Sequence, residues 1–319
     1  MAHQIESNDR NIFVKQPAWH GLGTTLPESV SVDEALKMTL DWEPELVPVI
    51  RSDTGETLAS HSALVRSDDR TLLSIKTDQY NVFKNSTVAK ATKIAFPNGR
   101  IETAGSLRGG KQVWFLVRLP ESDFDARRND PVNAYGLVTS SHDGTIQLTG
   151  LPTGVRVVCA NTMSMALAGG RKPISVRHKG AAMASEDAVL SLVYRQAEVV
   201  KNGLAHMRDG SQTLAKVAPT KEWLDKFFLA VAEEVMGKQV MSMTAEEVTE
   251  TKNLVSTFTV NLDHPNVKVG DTTKWTAFNA VTQWSVHNRR TRGDRGVNNW
   301  LGSGAAVTKH AFDTALALV

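Results

Sequence analysis

Cysteine is nearly absent from this sequence. Cys159 is the only one in 319 residues, which excludes an internal disulfide and a cysteine-rich zinc site. Because Cys159 follows an apolar stretch that predicts a strand, we interpret it as a small buried residue. A reactive thiol would need an activating neighbour such as a helix N-terminus. The helix that we predict from Asn161 would provide one, so this second interpretation stays open.

Long apolar runs are also absent. No stretch of eighteen consecutive apolar residues occurs, although a helix needs about that length to span a membrane. The first ten residues carry two acidic side chains and no apolar core, unlike a signal peptide. We therefore expect a protein of the cytoplasm that has no membrane partner.

The common catalytic motifs are missing as well. The sequence contains no GxxxxGKS/T, GxGxxG, GxSxG or HExxH pattern, so none of the phosphate-loop, dinucleotide, hydrolase or zinc-protease chemistries of those motifs is indicated. The stretch from Arg108 to Lys111 combines glycines with cations, but the pattern around it predicts a hairpin and not a strand-to-helix turn. We expect neither an enzymatic activity nor a cofactor.

His142 and Asp143 are adjacent in a predicted loop and could belong to a metal site. The further ligands would have to converge from distant histidines, of which the candidates are His20, His61, His178 and His287. A His-Asp-Gly stretch is more commonly a turn, in which the aspartate bonds to its own backbone and the glycine adopts positive φ. We favour the turn and expect no metal.

What the sequence does contain is clustered positive charge, although the net charge is only +2. From Arg156 to Lys179 there are five basic residues and no acidic one. From Lys274 to His310 six basic residues stand against Asp294 alone. Such clusters indicate a polyanionic partner, although a solvated surface explains the same charges equally well.

The residue pattern predicts an α+β fold with a strand-rich first half and a helical second half. The predicted strands are 45–51, 63–65, 72–76, 101–106, 112–119, 132–140, 145–148 and 154–158. The predicted helices are 31–40, 85–96, 161–167, 186–207, 222–236, 244–258, 274–290 and 305–319. Residues 120–131 are predicted to form a surface loop. We expect a mixed domain with an antiparallel sheet, a β-meander with interposed helices, over 1–184, and a helical domain or extension over 185–319.

Several segments together resemble the phage/plasmid-like family of unknown function, which is found in bacteriophages, prophages and plasmids. They are Pro17–Gly23, Ala104–Gly110 with Val113–Trp114, Ser141–Gly144, Val155–Thr162, Trp275–Ala280 and Asn299–Ala306. They occur in order over almost the whole chain. The resemblance implies the cytoplasm of a bacterial host as the setting, and it carries no assigned activity.

Residues 31–119 are also similar, more weakly, to the β-β-β-α core of phage single-strand DNA annealing proteins. That similarity implies a homo-oligomer, in the form of a ring or filament, that holds single-stranded DNA in a basic groove and serves phage or plasmid recombination without reading the base sequence. The predicted nucleic-acid contacts are Arg108, Lys111, Arg156, Arg171, Lys172, Arg177, Lys179, Arg289 and Arg290. Trp114 and Tyr80 are the candidate flat faces for bases.

The alternative is a phage-encoded interaction protein that binds a host protein, for counter-defence or host take-over, and has no enzymatic activity. Its contact surface would be an apolar patch on the C-terminal helices. One of these helices carries Trp275, Phe278 and Trp284 at the spacing of a single face, which fits either a core or an interface.

Overall fold

A computed structural model of the chain describes residues 5–15, 22–156, 161–164, 174–180, 183, 185–289 and 302–318, with the backbone alone at 156 and 161–164. The strands are β1 Asn11–Val14, β2 Thr24–Leu26, β3 Pro44–Ile50, β4 Thr57–Arg66, β5 Leu72–Thr77, β6 Arg100–Leu107, β7 Gln112–Arg118, β8 Phe124–Arg127, β9 Asp130–Ser141, β10 Leu148–Arg156, β11 Asn161–Ser164 and β12 Ile174–Val176. The helices are α1 Val32–Thr39, α2 Asn85–Ala95, α3 Glu186–Ala215, α4 Lys221–Met236, α5 Ala245–Asn261, α6 Lys274–Gln283 and α7 Ser303–Ala317. The predicted α+β class is confirmed.

The larger sheet has nine strands among the described residues. Its main order is β11-β10-β9-β7-β6-β1-β2, while β12 pairs with β10 and β8 pairs with β9. All pairings are antiparallel except β1 with β2. The central strand β7 is buried on both faces from Gln112 to Val117, as its nearly continuous apolar sequence predicts.

The smaller sheet consists of β3, β4 and β5 in that order. Its strands pair in simple antiparallel fashion, with Pro48 opposite Ser62 and Ser62 opposite Lys76. One end of this sheet is buried at Leu64, Leu73 and Arg66, whereas the other end, from residue 57 to residue 61, is exposed. The smaller sheet is therefore anchored to the body of the protein at one end only.

The helices begin where their capping residues predict. Ser31 and Glu34 form a capping box at α1, and Thr244 and Glu247 form another at α5, so that backbone N–H groups of the first turn are satisfied. After α6 the chain continues as a π-helical turn, Trp284–Asn288. The predicted single helix over 274–290 therefore changes its winding at Trp284.

Helix α3 connects two apolar cores. Its first half contributes Val189 and Val193 to the core beneath the larger sheet, and its second half contributes Met207 and Leu214 to the core of the helical half. The predicted boundary at 184/185 falls just before this helix and stays a prediction. Among the described residues, no helix combines the length and the apolar character that crossing a membrane requires.

Predicted elements differ from the structure in three places. The strands predicted over 145–148 and 154–158 form one strand, β10. Asn161 begins strand β11 and not a helix, because Asn161–Ser164 pairs with Thr153–Arg156 of β10. The predicted loop over 120–131 contains a 3-10 turn at Pro120–Ser122 and strand β8, which pairs with β9. In the last two places, pairing with the strand that is next to it in the chain outweighs the preference of the segment itself.

Candidate anion-binding cleft

A concave cleft of about 620 Å³ lies between the end of β5, the loop from Asp143 to Gln147, and residues 177–179. The side chains that decide its chemistry are Lys76, Tyr80, Asp143, Arg177, His178 and Lys179. The ends of the cleft are held together by an isolated bridge between Tyr80 and Lys179. Segments about 100 residues apart in the chain therefore form one site.

Three cations line this cleft. Arg177 and Lys179 are exposed, and they alternate with buried Val176 and His178 along the chain, so both point outward from the segment that follows β12. Lys76 is half-buried, with Nζ 4.4 Å from the centre of the Tyr80 ring. Burial lowers the pKa of Lys76, the negative charge of Asp143 raises it, and the positive charge of Lys179 lowers it. Lys76 and Lys179 are thus close enough to repel one another.

Asp143 is the single carboxylate among the described residues that line the cleft. Burial by itself would raise the pKa of Asp143, but hydrogen bonds from Thr145 and the charge of Arg108 hold it below its ordinary value. Its Oδ2 lies 3.3 Å from Nη1 of Arg108. This one carboxylate pairs with Arg108 and also interacts with Lys76. The cleft, which is lined by Lys76, Arg177 and Lys179, therefore carries an excess of positive charge.

Gly144 brings the loop close to Lys76. Its φ of +78° belongs to the left-handed region, and a Cβ at this position would lie 2.8 Å from Lys76 Nζ. A glycine here permits both the turn and the close approach of the loop to the ammonium group.

The turn that carries Arg108 and Lys111 is built around a carboxylate of the protein itself. The N–H groups of Gly109 and Gly110 donate to the two oxygens of Asp9, at 2.9 and 2.8 Å, and the Ser106 hydroxyl donates to the same side chain at 2.6 Å. These amides form an anion-binding nest that is already occupied. The turn can therefore offer a ligand only its side chains.

His142 and His178 lie buried beside the cleft. Burial lowers the pKa of His142 to about 3 and that of His178 to about 4, so both rings are neutral near pH 7. His142 Nε2 is 2.9 Å from Oδ1 of Asn85, and His178 Nδ1 is 3.0 Å from the carbonyl oxygen of Asn81. Both rings thus act as hydrogen-bonding groups of the core.

The metal hypothesis gains no support from this geometry. His142 is turned into the core, while Asp143 bonds to Thr145 and Arg108, as the preferred turn interpretation predicts. Among the described residues, no cluster of three or more His, Cys, Asp or Glu side chains is placed to hold a metal ion. Cys159 and His20 lie outside the described residues.

Neither candidate stacking face is open to a base. Trp114 is buried in a small apolar cluster on the larger sheet. The Tyr80 ring is stacked on His178, with centroids 4.9 Å apart, and its other neighbour is the Lys76 ammonium group. The prediction that these two rings stack on bases is therefore wrong, because both are already packed against the protein.

The predicted basic residues fall into three groups. Arg108, Lys111, Arg177 and Lys179 belong to the cleft or to the turn beside it. Arg289 lies in the helical half, with its guanidinium 5.8 Å from the centre of the Trp284 ring, and it is not among the residues that line the cleft. The side chain of Arg156 and all of Arg171, Lys172 and Arg290 lie outside the described residues.

Lys76 was missed by the sequence analysis. It is a single cation on a strand, far from both basic clusters in the sequence, and only the pairing of distant segments places it beside Lys179. Arg118, another strand cation, proves to be neutralised by Asp123 at 2.6 Å. Charge on a strand is thus informative only once its neighbours are known.

The stripe on α6 packs into the core of the helical half. Trp275 and Phe278 are fully buried, and Trp284 is half-buried against the same core. A host-protein partner stays a prediction, and these rings do not form a surface patch for it.

The family described as Domain of unknown function (DUF932) matches residues 72–301. The chain belongs to this family. No curated protein and no solved structure matches it. The DUF932 match includes every residue named above as lining the cleft, from Lys76 to Lys179, and it begins after β3 and β4. The prediction that the chain belongs to a family without an assigned activity is confirmed. The phage or plasmid setting stays a prediction.

Proposed function

We propose that this DUF932 protein binds single-stranded nucleic acid through the cleft, by contacts to phosphates. The observation that carries the proposal is the excess of cations. Lys76, Arg177 and Lys179 line a concave site whose one described carboxylate is already paired with Arg108. Clustered cations that lack internal partners favour a ligand with negative charge.

The shape of the cleft favours a single strand over a duplex. A volume of about 620 Å³ accommodates a short stretch of one strand, whereas a duplex is too wide to enter. Phosphate contacts carry no direct sequence information, so binding is independent of base sequence. The proposed contacts are Lys76, Arg108, Lys111, Arg177 and Lys179.

The resemblance to phage and plasmid proteins supplies the biological setting of the proposal. A protein that neutralises the phosphates of single strands would serve recombination of phage or plasmid DNA, including the annealing of complementary strands. The annealing step and the oligomeric ring or filament rest on the resemblance alone.

The test compares two variants that lose the same net charge. The cleft variant carries Lys76→Met, Arg177→Ala and Lys179→Ala; the control carries Lys201→Ala, Lys226→Ala and Lys252→Ala, three exposed positions on α3, α4 and α5. Fluorescence anisotropy of a labelled single-stranded oligonucleotide is measured from 50 to 200 mM salt. The three cations that the cleft variant removes account for a slope of about −2 in log K against log salt, so their contacts alone weaken binding on the order of tenfold over this range.

We expect the cleft variant to lose this slope and most of its affinity, while the control binds as the wild type does. Equal losses in both variants would show a diffuse charge effect and would remove the cleft from the proposal. No binding of any oligonucleotide at low salt would end the nucleic-acid proposal and would favour a host-protein partner.

A further inference from the structure

The smaller sheet presents an open apolar surface beside the cleft. Leu46 is 53% exposed and Ile50 is 61% exposed, and together with Pro48 they are the exposed positions of the second half of β3, alternating with half-buried Val47 and Val49. Since side chains alternate between the two faces of a strand, these three residues share one face.

The strand register shows that this is the face that carries Lys76. Pro48 lies opposite Ser62, and Ser62 lies opposite Lys76. Residues that lie directly opposite one another in an antiparallel sheet project to the same side. The next row of the same face is Leu46, Leu64 and Ser74, of which Leu64 is fully buried. The open part of this face is therefore the row of Pro48, Ser62 and Lys76 together with the exposed side chains of β3.

This face runs from the cleft to the outer edge of the sheet. At its β5 side, the Ser74 hydroxyl donates to the carbonyl oxygen of His142 at 2.7 Å, and Lys76 reaches the loop at Gly144. Pro48 lies two strand spacings from Lys76, about 10 Å. This distance is comparable with the distance from the phosphate of a nucleotide to the far edge of its base.

Charge is confined to one side of this surface. Lys76 is the only charged residue among Ile50 and the two rows, which are Pro48, Ser62 and Lys76, and Leu46, Leu64 and Ser74. The surface is therefore cationic at the cleft and uncharged and apolar at β3. A single-stranded nucleic acid has the complementary arrangement, with phosphates along one side and flat, weakly polar bases along the other.

We infer that the bases of the bound strand lie on the β3 side of this face, against Leu46, Pro48 and Ile50, while its phosphates occupy the cleft. This inference rests on the proposed function. It also supplies a surface for bases in place of Trp114, which is buried, and of Tyr80, whose ring is already stacked on His178 and contacted by Lys76. The residues involved precede the stretch that matches DUF932.

The experiment compares an ordinary single-stranded oligonucleotide with an abasic one of the same length, whose phosphates are retained and whose bases are absent. The variant is Leu46→Ser with Ile50→Ser. The matched control is Leu229→Ser with Val260→Ser, two exposed apolar residues on α4 and α5, at 40% and 71% exposure. Circular dichroism checks that each variant is folded.

We expect the wild type to bind the ordinary strand about tenfold more tightly than the abasic strand. The Leu46/Ile50 variant should lose most of that preference, with its affinity for the abasic strand unchanged, while the Leu229/Val260 control keeps the preference. The wild-type comparison needs no variant, so the inference can fail even if the Leu46/Ile50 variant does not fold.

Equal wild-type affinity for the two strands overturns the inference and leaves the proposed function intact, whereas no affinity for either strand removes the proposed function. Analytical ultracentrifugation tests whether a second copy of the chain, and not a nucleic acid, covers the β3 side of this face. A loss of self-association in the Leu46/Ile50 variant, with an unchanged preference for the ordinary strand, would assign this face to a second copy of the chain and would also overturn the inference.

Discussion

At the scale of single residues, the cleft depends on buried polar groups that the protein satisfies by itself. Asp9 lies almost 100 residues from the turn that it organises, and no local motif indicates this contact. The cations of the cleft were partly predictable. Arg177 and Lys179 belong to the basic cluster from Arg156 to Lys179, but nothing near Lys76 in the sequence indicates that it joins them.

Replacement of Asp9 tests this internal anion. Asp9→Ala leaves the buried N–H groups of Gly109 and Gly110 without their acceptor, and each buried N–H without a partner costs about 1–3 kcal/mol. We expect the free energy of unfolding to fall by about 2–5 kcal/mol, measured by urea denaturation. Asp78→Ala, at an exposed position, serves as the control. An equally small effect in both variants would contradict the role of Asp9.

At the scale of elements, the sequence predicted those whose signals are local. The capping residues Ser31 and Glu34 locate the start of α1, and the continuous apolar run of β7 indicates burial on both faces. The segment from Asn161 was predicted as a helix because its composition is compatible with one. It is a strand because it pairs with the edge of β10, the strand that precedes it in the chain, and this pairing is not visible in the composition of the segment itself.

A buried hydrogen bond links α6 of the helical half to β9 of the larger sheet. Trp275, on α6, donates from Nε1 to Oδ2 of Asp130 at the start of β9, at 2.9 Å, and both residues are fully buried. A hydrogen bond to a charged group contributes about 1.5–3 kcal/mol. The bond therefore fixes the position of the helical half against the larger sheet.

We expect Trp275→Phe to lower the free energy of unfolding by about 2 kcal/mol more than Trp114→Phe does. Trp114 is a suitable control because its indole N–H is buried and has no hydrogen-bond partner among the described residues, so the two substitutions share the loss of ring volume. Urea denaturation of both variants gives the difference. Equal losses would mean that the bond to Asp130 contributes nothing measurable.

At the scale of the whole molecule, the cleft lies where the two sheets meet. The neutral His178 lines it, and the neutral His142 is buried beside it. His142 forms an edge-on contact with the Trp42 ring, and His178 is stacked between Tyr80 and Phe83. A composition count shows nine histidines, but it cannot show which of them are buried. The acid sensitivity of the fold therefore follows from tertiary structure alone.

Both buried histidines have a folded-state pKa below the unfolded value of about 6.5, at about 3 for His142 and about 4 for His178. As the pH falls below about 6.5, the unfolded chain gains protons at these two positions and the folded chain does not, so stability decreases until the folded pKa values are reached. Each histidine contributes a loss of about 2 kcal/mol between pH 7 and pH 5. Urea denaturation of wild-type protein at these two pH values should show the sum of the two losses.

His178→Gln should remove about half of this change in stability, whereas His61→Gln, at an exposed position, should leave it intact. A wild-type stability that is the same at pH 7 and pH 5 would mean that both rings accept protons in the folded protein. His178 would then add positive charge to the lining of the cleft in acid.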